Sequence, residues 1–274
     1  MFSRLGHLRG ISLHYGRQAN GLPKEIFMSQ PSKDAARLGE PSYVWRAGQN
    51  RRLKMIYQWG RLASPHVRRV FDFGTGLGLY LKQMQAVGPQ IEFAAGSEYE
   101  FERAREATPH GHVVNAAEPL PFPNNFFDLV LSHEVLEHVS DDRLAVQEMV
   151  RVLRPGGRVV IFVPNRLWFF ETHGIYWRGE YHFGNKFGVN YLPDVWRNRL
   201  APHVRAYTIA SLRALFENLP VSLIHHTQIF PGYDKIIYRR PMLGSLLRTM
   251  TYTLENTPLR VIGLSHLLVM EKNR

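Results

Sequence analysis

The run Val70-Phe71-Asp72-Phe73-Gly74-Thr75-Gly76-Leu77-Gly78 sets a carboxylate near the end of a short apolar stretch and follows it with three glycines at alternate positions. Glycine has no Cβ, so a ligand can approach the main chain of such a loop closely. Leu79, Tyr80, Leu81 and Met84 then recur at helical spacing, and the unit reads as strand, tight turn and helix, with exposed N–H groups at the helix start. That is the layout of a nucleotide-type site, although a strand-to-helix turn that merely needs small residues has the same pattern. A dinucleotide fingerprint requires G-x-G-x-x-G. Its third glycine would fall at Leu79 counted from Gly74, or at Leu81 counted from Gly76, so that ligand class is excluded.

Three further groups could do chemistry. Glu98 lies 20 positions after Gly78, where a strand–helix–strand unit brings an acid from the neighbouring strand end beside a ribose. A carboxylate accepts from both ribose hydroxyls; an acid capping the next helix would look the same. Ser132-His133-Glu134-Val135-Leu136-Glu137-His138-Val139 gathers titratable groups at the end of another apolar run. His133 suits a general base because imidazole titrates near neutrality. Glu134, Glu137 and His138 fall at i, i+3 and i+4, one face of a helix, and such a face can either hold a divalent cation or brace the site by hydrogen bonds. None of them is assigned as a metal ligand. Glu171-Thr172-His173-Gly174 supplies a second base candidate, His173.

The D-x-G-x-G-x-G run resembles the first motif of the Rossmann-like (class I) S-adenosylmethionine-dependent methyltransferases. Glu98 resembles the family's second landmark, and Gly111 to Phe122 looks like the segment that holds the adenine edge. The string from Ser132 to Val139 is close to the subgroup that includes quinone-biosynthesis enzymes, and Leu153-Arg154-Pro155-Gly156-Gly157 resembles the family's L-R-P-G-G landmark. The resemblance runs from Val70 to Pro164. It implies S-adenosylmethionine as cofactor, with the loop around its methionine end, where ammonium and sulfonium charges favour a carboxylate such as Asp72. Carried over residue by residue, it assigns Asp72, Gly74, Thr75, Gly76, Gly78, Glu98, Tyr99, Ala116, Ala117 and Ser132 to the cofactor. The family usually has an aspartate where this chain has Ala116, so adenine recognition must lean on the Ala117 main chain or on Asn115.

The implied fold is α/β: a doubly wound, seven-stranded, mostly parallel sheet with an antiparallel last strand. The implied reaction transfers a methyl group to an O, C or N atom of a small, aromatic or lipid-like acceptor, with His133 or His173 removing the acceptor's proton. A rival within the same fold is an RNA methyltransferase. A rival of another class is a non-catalytic partner protein on the same fold, supported by Ala116.

These groups need elements to position them. The first forty residues carry Gly6, Gly10, Gly16, Gly21, Pro23 and Pro31 and read as an arm. A helix is expected from Ser42 to Leu62, ended near Gly60, so residues 1–64 form an arm and covering helix before a cofactor-binding domain over 65–274. Its Arg46, Arg51 and Arg52 either meet an anionic substrate or form a solvated face. Expected next are a second strand Ile91–Glu98, a helix Glu100–Ala107, a strand Phe127–Ser132, and a helix that the Pro-Gly-Gly turn stops before the fifth strand. The stretch 165–206 interleaves Trp168, Phe169, Phe170, Tyr176, Trp177, Tyr181, Phe183, Phe187, Tyr191 and Trp196 with basic residues. It reads as a substrate lid with an aromatic-walled pocket, or as an aromatic subcore. Thr208 caps a helix to Phe216, Val221 to Phe230 is the sixth strand, and Leu264 to Glu271 the seventh. Residues 241–257 form an amphipathic basic helix, either packed or attached to a membrane surface.

Composition bounds the partners. The chain has 274 residues, 45% of them hydrophobic, with a net charge of +11 that favours anionic partners. It has no cysteine, which excludes disulfides, thiolate metal sites and a cysteine nucleophile. Arg4, Arg9, Arg17 and Lys24 precede the first acid, Glu25, loosely as in a transit peptide. With no membrane-length apolar run and no signal-peptide core, the expectation is a soluble cytoplasmic chain with a small-molecule substrate, without DNA binding, and with peripheral membrane contact open.

Overall fold

The computed structural model describes residues 45–115 and 119–274. The expected arm over the first forty residues lies outside them. The covering helix is α1, Ala47–Trp59. The sheet and its crossovers then follow in order: β1 Arg69–Phe73, α2 Leu79–Val87, β2 Phe93–Ser97, α3 Phe101–Ala107, β3 His112–Val114, β4 Phe127–His133, α4 Asp142–Val152 and β5 Leu153–Pro164. An insertion holds β6 Phe170–Glu171, β7 Ile175–Trp177, β8 Glu180–His182, β9 Lys186–Phe187 and α5 Asp194–Leu200. The chain finishes with α6 Ile209–Ala214, β10 Val221–Ile229, α7 Asp234–Arg239, α8 Pro241–Leu254 and β11 Ser265–Lys272.

Seven strands form one sheet in the order β10-β11-β5-β4-β1-β2-β3. β1 pairs in parallel with both β2 and β4, and β4 with β5, while β11 is antiparallel to β5 and β10. This is the expected fold class. The strand order reverses between β1 and β4, the place where doubly wound sheets open a crevice at their carboxyl ends. Register aligns those ends, since Phe73 pairs with Ser97 on one side and with Ser132 on the other.

Alternation along the central strands builds two cores. Phe71, Val130, Val159 and Ile161 face one layer with Val146 and Met149 of α4. Val70, Leu129, Leu131, Val160 and Phe162 face the other, with Leu53 and Ile56 of α1 and Leu81 and Met84 of α2. Strands covered on both faces read as near-continuous apolar runs, which is how they were visible in the sequence. The Pro-Gly-Gly turn is absorbed into β5: Phe127 pairs with Leu153 but Leu129 with Arg158, so the intervening residues bulge. Gly156 has φ +75 with nothing within 4 Å of a built Cβ, so its requirement is conformational alone. The expected helix around Glu134 to His138 is absent. That segment is a turn, and α4 begins only after Asp141, whose carboxylate accepts from the Leu144 N–H at 2.9 Å.

Candidate active site

The glycine loop takes its shape from the end of β1. Gly74, Gly76 and Gly78 all have positive φ, at 74, 55 and 73 degrees. A Cβ on Gly74 would stand 2.4 Å from the Val135 methyls, so conformation and close approach both demand glycine there. The Thr75 N–H donates to the Ser97 carbonyl at 2.8 Å and its hydroxyl to Asp72 at 2.9 Å. Glu98 then ties two strand ends together: its carboxylate accepts from the Gly76 N–H at 2.9 Å and from the Glu100 N–H at 3.0 Å. Of the two sequence alternatives for Glu98, the contact at the start of α3 is present, and the same carboxylate faces the glycine loop. Asn115 spends its amide donors on the Glu98 and Tyr99 carbonyls, at 2.8 and 2.7 Å, which removes it as a donor to an adenine.

Asp72 is buried, and burial pushes its pKa up to about 7; the Thr75 hydroxyl opposes the shift and the Glu98 carboxylate adds to it. Two carboxylates at one strand-end crevice favour a cationic ligand.

One cavity of about 810 Å³ opens at this crevice, and Asp72, Gly74, Thr75, Gly76, Glu98, Tyr99, His133 and His173 all lie on its wall. Two assignments from the sequence do not. Ser132 is fully buried in β4 and off the wall, because the alternation of the strand turns it inward. Gly78 is off the wall too; a Cβ there would meet Ala107 and His110 at 3.2 Å, so it lets α2 pack against the end of α3. Ala116 and Ala117 lie outside the described residues.

His133 ends β4 in a hydrogen-bonded cluster. Its Nε2 meets an Arg52 guanidinium nitrogen at 2.7 Å and the Tyr80 hydroxyl at 3.1 Å. Arg52 also donates to Glu134 at 2.7 Å and to the Ser265 hydroxyl at 3.0 Å. Burial, then the adjacent Arg52 charge, pushes the His133 pKa down to about 3. The ring is neutral at ordinary pH and its Nε2 faces Arg52 and Tyr80, a setting in which imidazole is a weaker base than in water. Glu134 adopts φ 56, a left-handed conformation uncommon for a side chain of its type, and thereby turns its carboxylate onto Arg52.

The insertion delivers His173. Its Nδ1 lies 3.0 Å from Glu171, which also accepts from Arg197 at 2.6 Å; Glu171 and Arg197 are both buried. A carboxylate fixing one imidazole nitrogen leaves the other oriented for work. Beside it, Glu137, His138 and His173 each offer a ligand atom within 4.8 Å of the others. Glu137 is 1% exposed, and among the described residues neither carboxylate oxygen meets a donor in regular hydrogen-bond geometry. Burial, then the Glu134 charge, holds its pKa well above the usual carboxylate range. These three residues could hold a divalent cation, a set that differs from the expected helix face by replacing Glu134 with His173.

The aromatic wall expected from the insertion is not there: only Thr172 and His173 of it reach the cavity, while Trp177, Phe183, Phe187, Tyr191 and Trp196 are exposed. The aromatic lining comes instead from Trp45, Tyr80, Tyr99, Phe230 and Tyr252. Sequence reading missed the roles of Tyr80, Ser265 and Tyr252, because sites built from distant strands and helices leave no local spacing. Arg52 had a signal: it precedes the buried Ile56 by one helical turn, on the same face of α1.

Residues 71–161 match the family model described as a methyltransferase domain. A ubiquinone biosynthesis O-methyltransferase of Mesorhizobium japonicum is 34% identical over 103 residues, 36% of this chain and 41% of that protein, so the match spans less than half of that relative. A ubiquinone/menaquinone biosynthesis C-methyltransferase of Photorhabdus laumondii is 28% identical over 191 residues, 64% of this chain and 76% of that one. Among solved structures, an S-adenosylmethionine-dependent methyltransferase from Mesorhizobium loti has a TM-score of 0.53 at 18% identity, covering 80% of this chain and 100% of its own. The [4+2]-cyclase SpnF has a TM-score of 0.54 at 13% identity, covering 84% and 83%. Likeness at these identities is a likeness of fold.

Proposed function

We propose that this chain, which carries a class I S-adenosylmethionine-dependent methyltransferase domain matched over residues 71–161, transfers the cofactor's methyl group to a hydroxyl of a small aromatic or lipid-like acceptor. The observation that carries the reading is the join between Gly76 and Glu98 at the carboxyl ends of β1 and β2, opening into the cavity that also holds His173. Asp72 and Glu98 would meet the cofactor's cationic end and its ribose. At about 810 Å³ the cavity falls within the roughly 300–1,000 Å³ of small-ligand sites, which favours a small acceptor over a polymer.

Bound between Asp72 and Glu98, S-adenosylmethionine would supply an electrophilic methyl group to the acceptor oxygen, whose proton would pass to a base of this chain. His173, oriented by Glu171, is the base on this reading. Alignment of the reacting atoms can supply up to about 7–11 kcal/mol of the barrier, the larger share. His133, kept neutral, Tyr80 and Arg52 hold the floor of the site in one arrangement.

A second reading of His173 is favoured by the buried Glu137 carboxylate: with His138 it would hold a divalent cation that polarises the acceptor hydroxyl. The RNA rival loses support because Arg51, Arg52, Arg158 and Arg197 are spent on internal ion pairs.

Calorimetric titration with S-adenosylhomocysteine tests the cofactor site. Micromolar binding that Glu98→Ala and Gly76→Val both abolish is expected; no binding by the folded wild type overturns the reading. Dialysis against chelator, followed by return of Mg²⁺, Mn²⁺ or Zn²⁺, separates the two roles of His173. Cation binding lost in Glu137→Gln identifies a metal ligand set, and unchanged behaviour leaves the base.

A further inference from the structure

The helical hairpin between β10 and β11 leaves an apolar face that no described residue covers. Only Gly244 of the 14 residues in α8 is buried. Met242 is 88% exposed, and Leu246 and Met250 are each 57% exposed. These three residues are spaced by four and so lie along one stripe of the helix. Leu243 flanks the stripe, and exposed Thr249 and Thr253 complete it without a charge.

The surrounding charge has one sign. Lys235, Arg239, Arg240 and Arg260 are exposed, flank α8 in sequence, and enter no ion pair among the described residues. The two nearby acids are turned inward. Asp234 accepts from the Gly48 N–H at 3.1 Å; Glu255 pairs with Arg51 and accepts from the Phe230 N–H at 2.7 Å.

We propose that the α7–α8 hairpin is a docking surface for an anionic lipid bilayer. The helix lies in the interface plane, with Met242, Leu246 and Met250 among the upper acyl chains and the four cations at the level of the lipid phosphates. At about 1.5 Å per residue α8 is roughly 21 Å long, and no described helix is long and apolar enough to cross a membrane, so the contact is peripheral. Charge complementarity selects this occupant. A second copy would set one cationic rim against another. Residues 1–44 carry Arg4, Arg9, Arg17, Lys24, Lys33 and Arg37 against Glu25, Asp34 and Glu40, and would meet the same repulsion. Asp234 and Tyr252 of the hairpin segment also line the large cavity, so docking brings that cavity beside the bilayer. The inference does not depend on the methyl-transfer reading.

Because the chain has no cysteine, Leu246→Cys gives a single labelling position for an environment-sensitive fluorophore in the full chain. The expected result is a blue shift and flotation with phosphatidylcholine vesicles containing phosphatidylserine. Binding should be about tenfold weaker or more on phosphatidylcholine alone, at high salt, and in Arg239→Gln with Arg240→Gln. Leu246→Glu with Met250→Glu should abolish flotation while circular dichroism stays unchanged. Absence of flotation, or flotation that neither pair of substitutions alters, overturns the proposal. A probe already shielded in vesicle-free protein also overturns it: the occupant is then a second copy if shielding depends on concentration, or residues 1–44 if it does not.

Discussion

Asp72 shows how a single buried carboxyl couples ligand to pH. Its pKa of about 7 lies above the ordinary 3.8, chiefly because burial disfavours the charge. Between those values the folded chain keeps a proton that the unfolded chain has lost, so stability without ligand falls as pH rises through that window, and the penalty is complete above about 7. A bound cation offsets it. Thermal unfolding should therefore show stabilisation by S-adenosylhomocysteine, through its ammonium, growing from pH 6 to pH 8. Asp72→Asn should flatten that growth while leaving the ligand-free protein at pH 8 no less stable; a wild-type response independent of pH would refute the electrostatic role. Gly74 makes the steric counterpart. Gly74→Ala must relieve a 2.4 Å contact with Val135 and hold alanine at φ +74, so loss of cofactor binding with more than about 1 kcal/mol of destabilisation is expected in denaturant titrations.

Among the elements, α1 does two jobs through one face. Leu53 and Ile56 pack it onto the second core, and that anchoring delivers Arg52 to His133, Glu134 and Ser265. Ile56 is fully buried, so Ile56→Ala should cost about 2–5 kcal/mol in chemical denaturation. Arg52→Met leaves the half-buried Glu134 without its guanidinium. The largest opposition to burial is then gone from a carboxyl now held down to about 2, with His133, His173 and the Ser265 hydroxyl still favouring its charge, and its pKa should rise by NMR titration. An unmoved value would mean that Glu134 is held by something other than Arg52. The sequence left Arg52 between a substrate contact and a solvated face, because an arginine in a polar-rich helix carries no mark of the strand end it will meet; the structure sets it on the cavity wall. The Glu134 turn was misread as helix because its i, i+3, i+4 pattern is real, yet Arg52 and Ser265 hold its carboxylate and the turn that follows delays α4 until Asp141.

At the scale of the molecule, the +11 charge is not one surface. Arg158 pairs with Glu271, Arg197 with Glu171, and Arg51 with Glu255, while Lys235, Arg239 and Arg240 of the α7–α8 hairpin are exposed and enter no ion pair among the described residues. Any binding to single-stranded RNA should therefore be non-specific and disappear as salt is raised, without methylation of the RNA. Retention at high salt, or methyl incorporation into RNA, would restore the nucleic-acid reading.

The sequence by itself determined the sheet and one end of the site. Apolar runs of strand length, the glycines after Asp72, Glu98 at its spacing, and the Thr208 cap are local signals, because backbone conformation and periodicity are set by neighbours along the chain. Those signals located the strand-end crevice and excluded a dinucleotide. Tertiary structure alone decided the rest. Ser132 faces inward although it adjoins His133, the exposed aromatics of the insertion miss the cavity, and Tyr252 reaches it from a helix 180 residues beyond Asp72. Whether His133 is free to take a proton depends on Arg52 and Tyr80, and it is the tertiary fold that brings His173 beside Glu137 and His138. Burial and through-space charge fix both answers, and neither quantity is carried by spacing along the chain.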